Sequence, residues 1–230
     1  MSVQAIDWPS VRVVVFDLDG TLYDMRRIRR RMAGPLLAHG LRHPRDLAVP
    51  RILIEFRRSR ERLAAEESEE IRRLQYERPA ARLGLSAERL REVVEEWFFR
   101  RPLPYLEACR FPGVRALFAK LESMGKTVAV LSDYPVDEKL AALGLAAEVT
   151  VSGVDPEVDR LKPHPAGLER VLELTGTEPE ACVLIGDRED RDGACARRLG
   201  VPCLIKASRP GAGPGTFHDY RELLAALETA

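Results

Sequence analysis

The sequence carries no excess charge of either sign. Among its 230 residues, 36 Lys and Arg are matched by 36 Asp and Glu, so the formal net charge is zero. Nothing in that overall balance suggests a nucleic-acid or anionic-membrane partner. Cysteine is scarce. Cys109, Cys182, Cys195 and Cys203 stand apart, without the spacing of a zinc site or a redox pair. They read as buried thiols in a reducing compartment. His39, His43, His164 and His218 also lack a metal-ligand spacing. His164 lies near Lys162 and reads as a loop residue. No apolar run is long enough to cross a bilayer. The opening MSVQAIDWPS has no basic stretch followed by an apolar one, so no signal peptide is expected. The expectation is a cytoplasmic protein, a monomer or homodimer, with no nucleic-acid or membrane partner.

What is present is a rhythm of short, β-branched apolar runs: VRVVVF (11–16), TVAVLS (127–132), EVTVSG (148–153), ACVLIG (181–186) and PCLIKA (202–207). Runs apolar on both faces predict parallel strands covered by helices on each side. Helical patterns separate them at 113–125, 136–145, 164–176 and 191–200, and another closes the chain at 219–228. Alternation of this kind predicts an α/β fold with a doubly wound, mostly parallel sheet. The stretch ASRPGAGPG (207–215) reads as a surface loop, since it lacks the Lys and Ser/Thr of a P-loop.

From about residue 24 to 108 the rhythm stops. SRERLAAEESEEIRRLQYE (59–77) reads as one amphipathic helix, and SAERLREVVEEWFF (86–99) as another, opened by Ser86. Pro102 and Pro104 are expected to end the helical pattern. Trp97, Phe98 and Phe99 read as core of this segment rather than a base-stacking platform. The division predicted is a core of residues 1–23 and 109–230 with an inserted, all-helical cap at 24–108.

The chemistry starts at the first strand. VVVFDLDGTLYD places Asp17 and Asp19 one residue apart at the end of an oily run. In extended backbone, residues two apart point the same way, so both carboxylates can face one site. The carboxyl ends of strands are where doubly wound sheets bind ligands. An Asp-Gly turn would explain Asp19 but not Asp17. Other strand ends supply partners: Ser132 at the second, Asp187 at the fourth, with Asp190 and Asp192 beyond it. Lys162 stands between them in LKPHP. Each has an ordinary reading, as helix cap, helix-terminal charge or surface lysine. Together they place carboxylates, a hydroxyl and an ammonium at one sheet edge.

This set resembles the haloacid dehalogenase superfamily, in its phosphatase branch with a helical cap after the first strand. The matching motifs, in order, are Asp17-Leu18-Asp19-Gly20-Thr21, Ser132, Lys162-Pro163, and Gly186-Asp187 with Asp192. The resemblance implies a Rossmann-like core and hydrolysis of small phosphomonoesters through an aspartyl-phosphate. It implies Asp17 as nucleophile and Asp19 as the acid, then the base. It implies Mg²⁺ on the Asp17 carboxylate, the Asp19 carbonyl and Asp187, with Asp192 supporting or ligating. Ser132 and Lys162 would hold the phosphoryl group, with Thr21, Tyr23 and Asp133 beside the substrate. Asp133 stands where many relatives carry Asn, and Asp190 fits the extra acid of some members. Dehalogenases and phosphonatases of the superfamily lack an Asp at position 19, which disfavours their reactions. A sugar-phosphate mutase is the enzymatic alternative, and an idle regulatory module the non-enzymatic one. The implied partner is a small phosphorylated metabolite: phosphoglycolate, a sugar phosphate or a nucleoside monophosphate. Arg26, Arg27, Arg29, Arg30 and Arg31 read mostly as a solvated face paired with glutamates, with one or two free to reach an anionic part of the substrate.

Overall fold

The computed structural model describes residues 3–43 and 48–229. The five apolar runs form β1 (Val13–Phe16), β2 (Thr127–Ser132), β3 (Val149–Ser152), β4 (Cys182–Gly186) and β5 (Cys203–Lys206), and a two-residue β6 (Thr216–Phe217) follows the Gly-rich loop. Neighbouring strands pair in parallel in the order β3-β2-β1-β4-β5-β6. The order reverses at β1, which pairs with β2 on one side and β4 on the other. That reversal opens a crevice beyond the ends of β1, β2 and β4.

Every position of β1 and β4 is buried, because successive side chains enter opposite layers. Val14 and Phe16 pack with Val128, Val130 and Ile185; Val13 and Val15 pack with Ala129, Leu131 and Leu184 on the other face. Each such side chain contributes about 1.5–3 kcal/mol by leaving water. The layers are closed by α6 (Val114–Ser123) and α10 (Tyr220–Glu228) on the first face, and by α8 (Ala166–Thr175) and α9 (Ala194–Leu199) on the second. The short α7 (Asp137–Ala142) follows β2.

Between β1 and α6 the described residues form α1 (Met25–Arg42), α2 (Val49–Ala65), α3 (Ile71–Leu83), α4 (Ala87–Val94) and α5 (Leu103–Leu106). Asp24 starts α1 by accepting the Arg26 and Arg27 N–H groups at 2.8 and 3.3 Å. Ser86 caps α4 by accepting the Arg89 N–H at 3.1 Å. These helices build a separate core around Ile52, Phe56, Tyr76, Leu90, Val93 and Trp97.

Three expectations are corrected here. The stretch 59–77 is not one helix. It breaks at 66–70, where Glu67 and Glu70 take positive φ values of 49° and 58°. Glu66, Glu67, Glu69 and Glu70 would stack like charges on adjacent turns of a continuous helix. The break instead sends Glu67 to Arg198, Glu69 to Arg160 and Glu66 to Arg78. Pro102 and Pro104 do end the longer helix, but they also start α5, since proline lacks only an N–H that a first turn leaves unbonded. In the arginine run, Arg27 pairs with Asp24 rather than with a glutamate.

Candidate active site

Asp17 continues the β1–β4 ladder by one residue, donating its N–H to the Ile185 carbonyl at 2.8 Å. The strand therefore delivers its carboxylate directly over the sheet edge. Lys162 Nζ lies 2.6 Å from Asp17 Oδ1 and 2.5 Å from Asp192 Oδ1, with all three side chains buried. Thr21 Oγ1 donates to Asp17 Oδ2 at 2.8 Å. Thr21 is fully buried, so it orients the Asp17 carboxylate rather than touching a ligand. Beneath it, the Tyr220 hydroxyl donates to the Thr21 carbonyl.

Asp187 and Asp192 complete an acidic trio whose ligand atoms lie within 4.8 Å of one another. Asp192 is the anchored member: its Oδ2 accepts the N–H groups of Asp187 and Arg188 at 3.2 and 3.0 Å. Two glycines make room. Gly20 has φ +100°, and a Cβ there would sit 2.2 Å from Asp187 Oδ2; a Cβ at Gly186 would sit 2.3 Å from Asp192 Cγ.

The charges decide the electrostatics. Three carboxylates surround one ammonium. Burial, with repulsion from Asp192 and Asp187, pushes the Asp17 carboxyl well above its ordinary range despite Lys162. Burial and Asp192 raise Asp187 to about 6. Burial works against the Lys162 ammonium, but Asp17, Asp192 and Asp133 more than offset it and hold the charge. This buried surplus of hard oxygen donors fits a divalent cation such as Mg²⁺.

Asp19 is held by a different set of partners. Its carboxylate accepts Lys139 Nζ at 2.7 and 2.8 Å, the Tyr23 hydroxyl, and Ser132 Oγ at 3.4 Å. Burial opposes its ionisation, yet Lys139 and Tyr23 together hold its pKa below the ordinary value. Ser132 also accepts the Tyr134 N–H at 3.1 Å. The Asp133 carboxylate accepts the Lys162 main-chain N–H at 2.9 Å, which fixes the lysine's loop. Asp190 lies outside the trio and pairs with Arg188 at 2.7 Å.

Sequence reasoning missed two residues. Lys139 falls on the buried stripe Val136, Lys139, Leu140 and Leu143 of the α7 segment. A lysine on an apolar helical stripe is the signal that identifies it, because burial demands a partner. Arg60 lies likewise on the Phe56–Leu63 stripe. It is 3% exposed, donates to the Asp133 carbonyl and to Gln75, and stacks 4.2 Å over the Tyr134 ring. It thereby joins the inserted helices to the loop after β2. Glu61 makes a second tie, to Arg188 and Arg191 at 2.7 Å each.

Two cavities meet at Asp19. A small polar one of about 90 Å³ holds Asp17, Ser132, Lys162 and Asp187. A larger one of about 290 Å³ runs from Asp19, Tyr23 and Lys139 between α1, α2 and the aromatic run at 97–99. Trp97, Phe98 and Phe99 thus serve both as helical core and as cavity wall.

The chain is similar to several known proteins. A phosphoserine phosphatase of Thermus thermophilus is 30% identical over 62% of this chain, which spans 59% of that relative's length. A phosphoglycolate phosphatase of Xylella fastidiosa is 30% identical over 84% of this chain and 79% of its own. The crystal structure of a 2-haloacid dehalogenase from Pseudomonas syringae superposes with a TM-score of 0.64, at 19% identity, over 95% of this chain and 99% of that one. That likeness is one of fold. Residues 11–200 match the haloacid dehalogenase-like hydrolase family, and with the sheet order and strand-end residues described above, the chain belongs to that family.

Proposed function

We propose that the protein is a Mg²⁺-dependent phosphatase of small phosphomonoesters that works through an aspartyl-phosphate. The observation that carries this reading is the buried Asp17–Lys162–Asp192 arrangement at the end of β1. An anionic nucleophile must approach an anionic phosphate, so cations have to be fixed in advance. Lys162 is one. Asp17, Asp187 and the main chain at Asp19 would hold Mg²⁺, with Asp192 supporting them through Lys162 and the Asp187 N–H. When bound, the ion would neutralise the carboxylate surplus and polarise the phosphoryl oxygens.

In the first half-reaction Asp17 Oδ attacks phosphorus, the ester P–O bond breaks, and Asp19 gives a proton to the departing oxygen. In the second, Asp19 takes a proton from water, and that water attacks phosphorus and frees Asp17. Ser132 would hydrogen-bond a phosphoryl oxygen. As found, Asp19 is in its base form, the form suited to the second half. An anionic ester entering beside Lys139 would compete for that ammonium and let Asp19 take up the proton the first half needs.

Residues 24–108 would act as the cap over residues 1–23 and 109–230, excluding water and selecting the leaving group. Arg60 and Glu61 supply polar ties between them. No described helix is long and apolar enough to cross a membrane, and the four cysteines are free thiols. A reducing cytoplasm suits the free thiols.

The test is turnover of an aryl phosphate with Mg²⁺, and its loss on chelation. Activity that survives complete chelation would refute the metal assignment. Phosphate exchange between sugar-phosphate isomers without release to water would point to a mutase instead.

A further inference from the structure

The 290 Å³ cavity speaks to the leaving group. Apart from Asp19, Tyr23, Lys139, Arg29 and Arg57, its wall is mainly apolar, including Ile28, Leu36, Leu53 and Phe98. Its rim reaches solvent, since Ile54 is 52% exposed. Its inner end is Asp19, which also lines the polar cavity. An ester with its phosphoryl group beside Asp17 and its bridging oxygen at Asp19 has this cavity on the leaving-group side. A sugar or a two-carbon acid would leave such a wall unsatisfied.

We infer that the protein acts on phosphomonoesters whose leaving group has a bulky, mainly apolar body that fills this cavity. The inference rests on the phosphatase reading above. A cavity of about 150 Å³ takes a benzene ring. A volume of 290 Å³ therefore suits a body of roughly two rings or an alkyl chain of about eight carbons. Arg57 supplies a feature of selectivity. Its guanidinium lies 4.9 Å from the Phe98 ring centroid and makes no ion pair among the described residues. Burial, with Arg29 nearby, disfavours its charge. A carboxylate on the apolar body would find its counter-ion there.

The test is a series of n-alkyl phosphates of two to ten carbons, with phosphoglycolate as the short acidic reference. Each buried methylene is worth about fourfold in binding. kcat/KM should rise about threefold to fourfold per methylene to about eight carbons, then level. Affinities of the matching n-alkylphosphonates, measured by calorimetry, should follow the same slope without turnover. Ala33→Trp fills the cavity at an exposed helix position and should flatten both slopes with Tm unchanged. A terminal carboxylate on the octyl ester should add about tenfold, and Arg57→Gln should remove that increment.

Turnover of every ester with no dependence on length would overturn the inference and leave the phosphatase reading standing. A length slope in phosphonate binding without any turnover would refute the phosphatase reading, and the substrate inference with it, and leave only an apolar binding cavity. A slope unchanged in Ala33→Trp would place the chain elsewhere and end the proposal.

Discussion

The two cavities that meet at Asp19 are built on opposite principles. The polar one is small, about 90 Å³, and Asp17, Lys162 and Asp192 are tied together in it by direct hydrogen bonds. Its residues come from strand ends, loops and α2, far apart in sequence, and ion pairs hold Asp17, Lys162 and Asp192. The apolar one is about 290 Å³, bounded mainly by helix faces and aromatic rings that make few directional contacts. The first has one arrangement that satisfies its charges, because a buried charge without a partner costs several kcal/mol. The second can change shape at the cost of packing alone. Fixed chemistry thus stands beside an adaptable selector, with Asp19 shared between them.

Predictions can break or sharpen that contrast. Asp17→Asn should abolish turnover, by on the order of 10⁴-fold or more, while the fold and phosphonate binding in the apolar cavity persist. Circular dichroism and calorimetry on one sample would check both halves. Lys162→Met removes the ammonium between Asp17 and Asp192. Breaking a buried pair costs about 3–5 kcal/mol, so a clear loss of Tm is expected along with activity. Added Mg²⁺ should recover part of the Tm, since a cation that binds only the folded state stabilises it. An unchanged Tm in chelator would show that Lys162 is not needed to balance the trio.

Lys139→Met acts at the boundary. It frees the Asp19 carboxylate and should lower kcat by roughly tenfold to a hundredfold for alkyl esters. The loss should shrink for an ester with an acidic phenol as leaving group, which needs less proton transfer. Equal losses for both would show that Lys139 serves the phosphoryl end instead. The smallest effect is expected below the polar cavity. Asp219 caps α10, whose Tyr220 supports Thr21. Asp219→Ala should cost about 1 kcal/mol at neutral pH. The Arg221 side chain and N–H hold the Asp219 carboxyl down at about 2. Its depressed pKa means the cap's contribution is complete above pH of about 4 and is lost as pH falls through about 2. Acid titration of Tm in both proteins should therefore converge at low pH.

The contrast also explains what could be read in advance. Five strands are legible because each centres on a short apolar run, unbroken in β1 and β4, where both faces are buried. Asp17, Ser132 and Asp187 were legible because each interrupts or ends such a run at the edge where ligands bind. Lys139 and Arg60 are legible only as charges on a buried helical stripe, because periodicity marks burial and does not name the distant partner that a buried charge finds. The helix break at 66–70 depends on Arg160 and Arg198, which lie about ninety and a hundred and thirty residues further on. No local pattern announces partners at that distance.

By itself the sequence determined the doubly wound sheet and the roster of groups at its edge. Period, burial and strand-end chemistry are local properties, and they constrain residue type position by position. Only the tertiary structure decided that Lys162 joins Asp17 to Asp192, that Asp19 turns to Lys139, and that an apolar cavity opens beside it. The physical reason is that a cavity is space left over when helices pack. It belongs to no residue, and its shape follows from the relative placement of α1, α2 and the 97–99 aromatics rather than from any one stretch of chain.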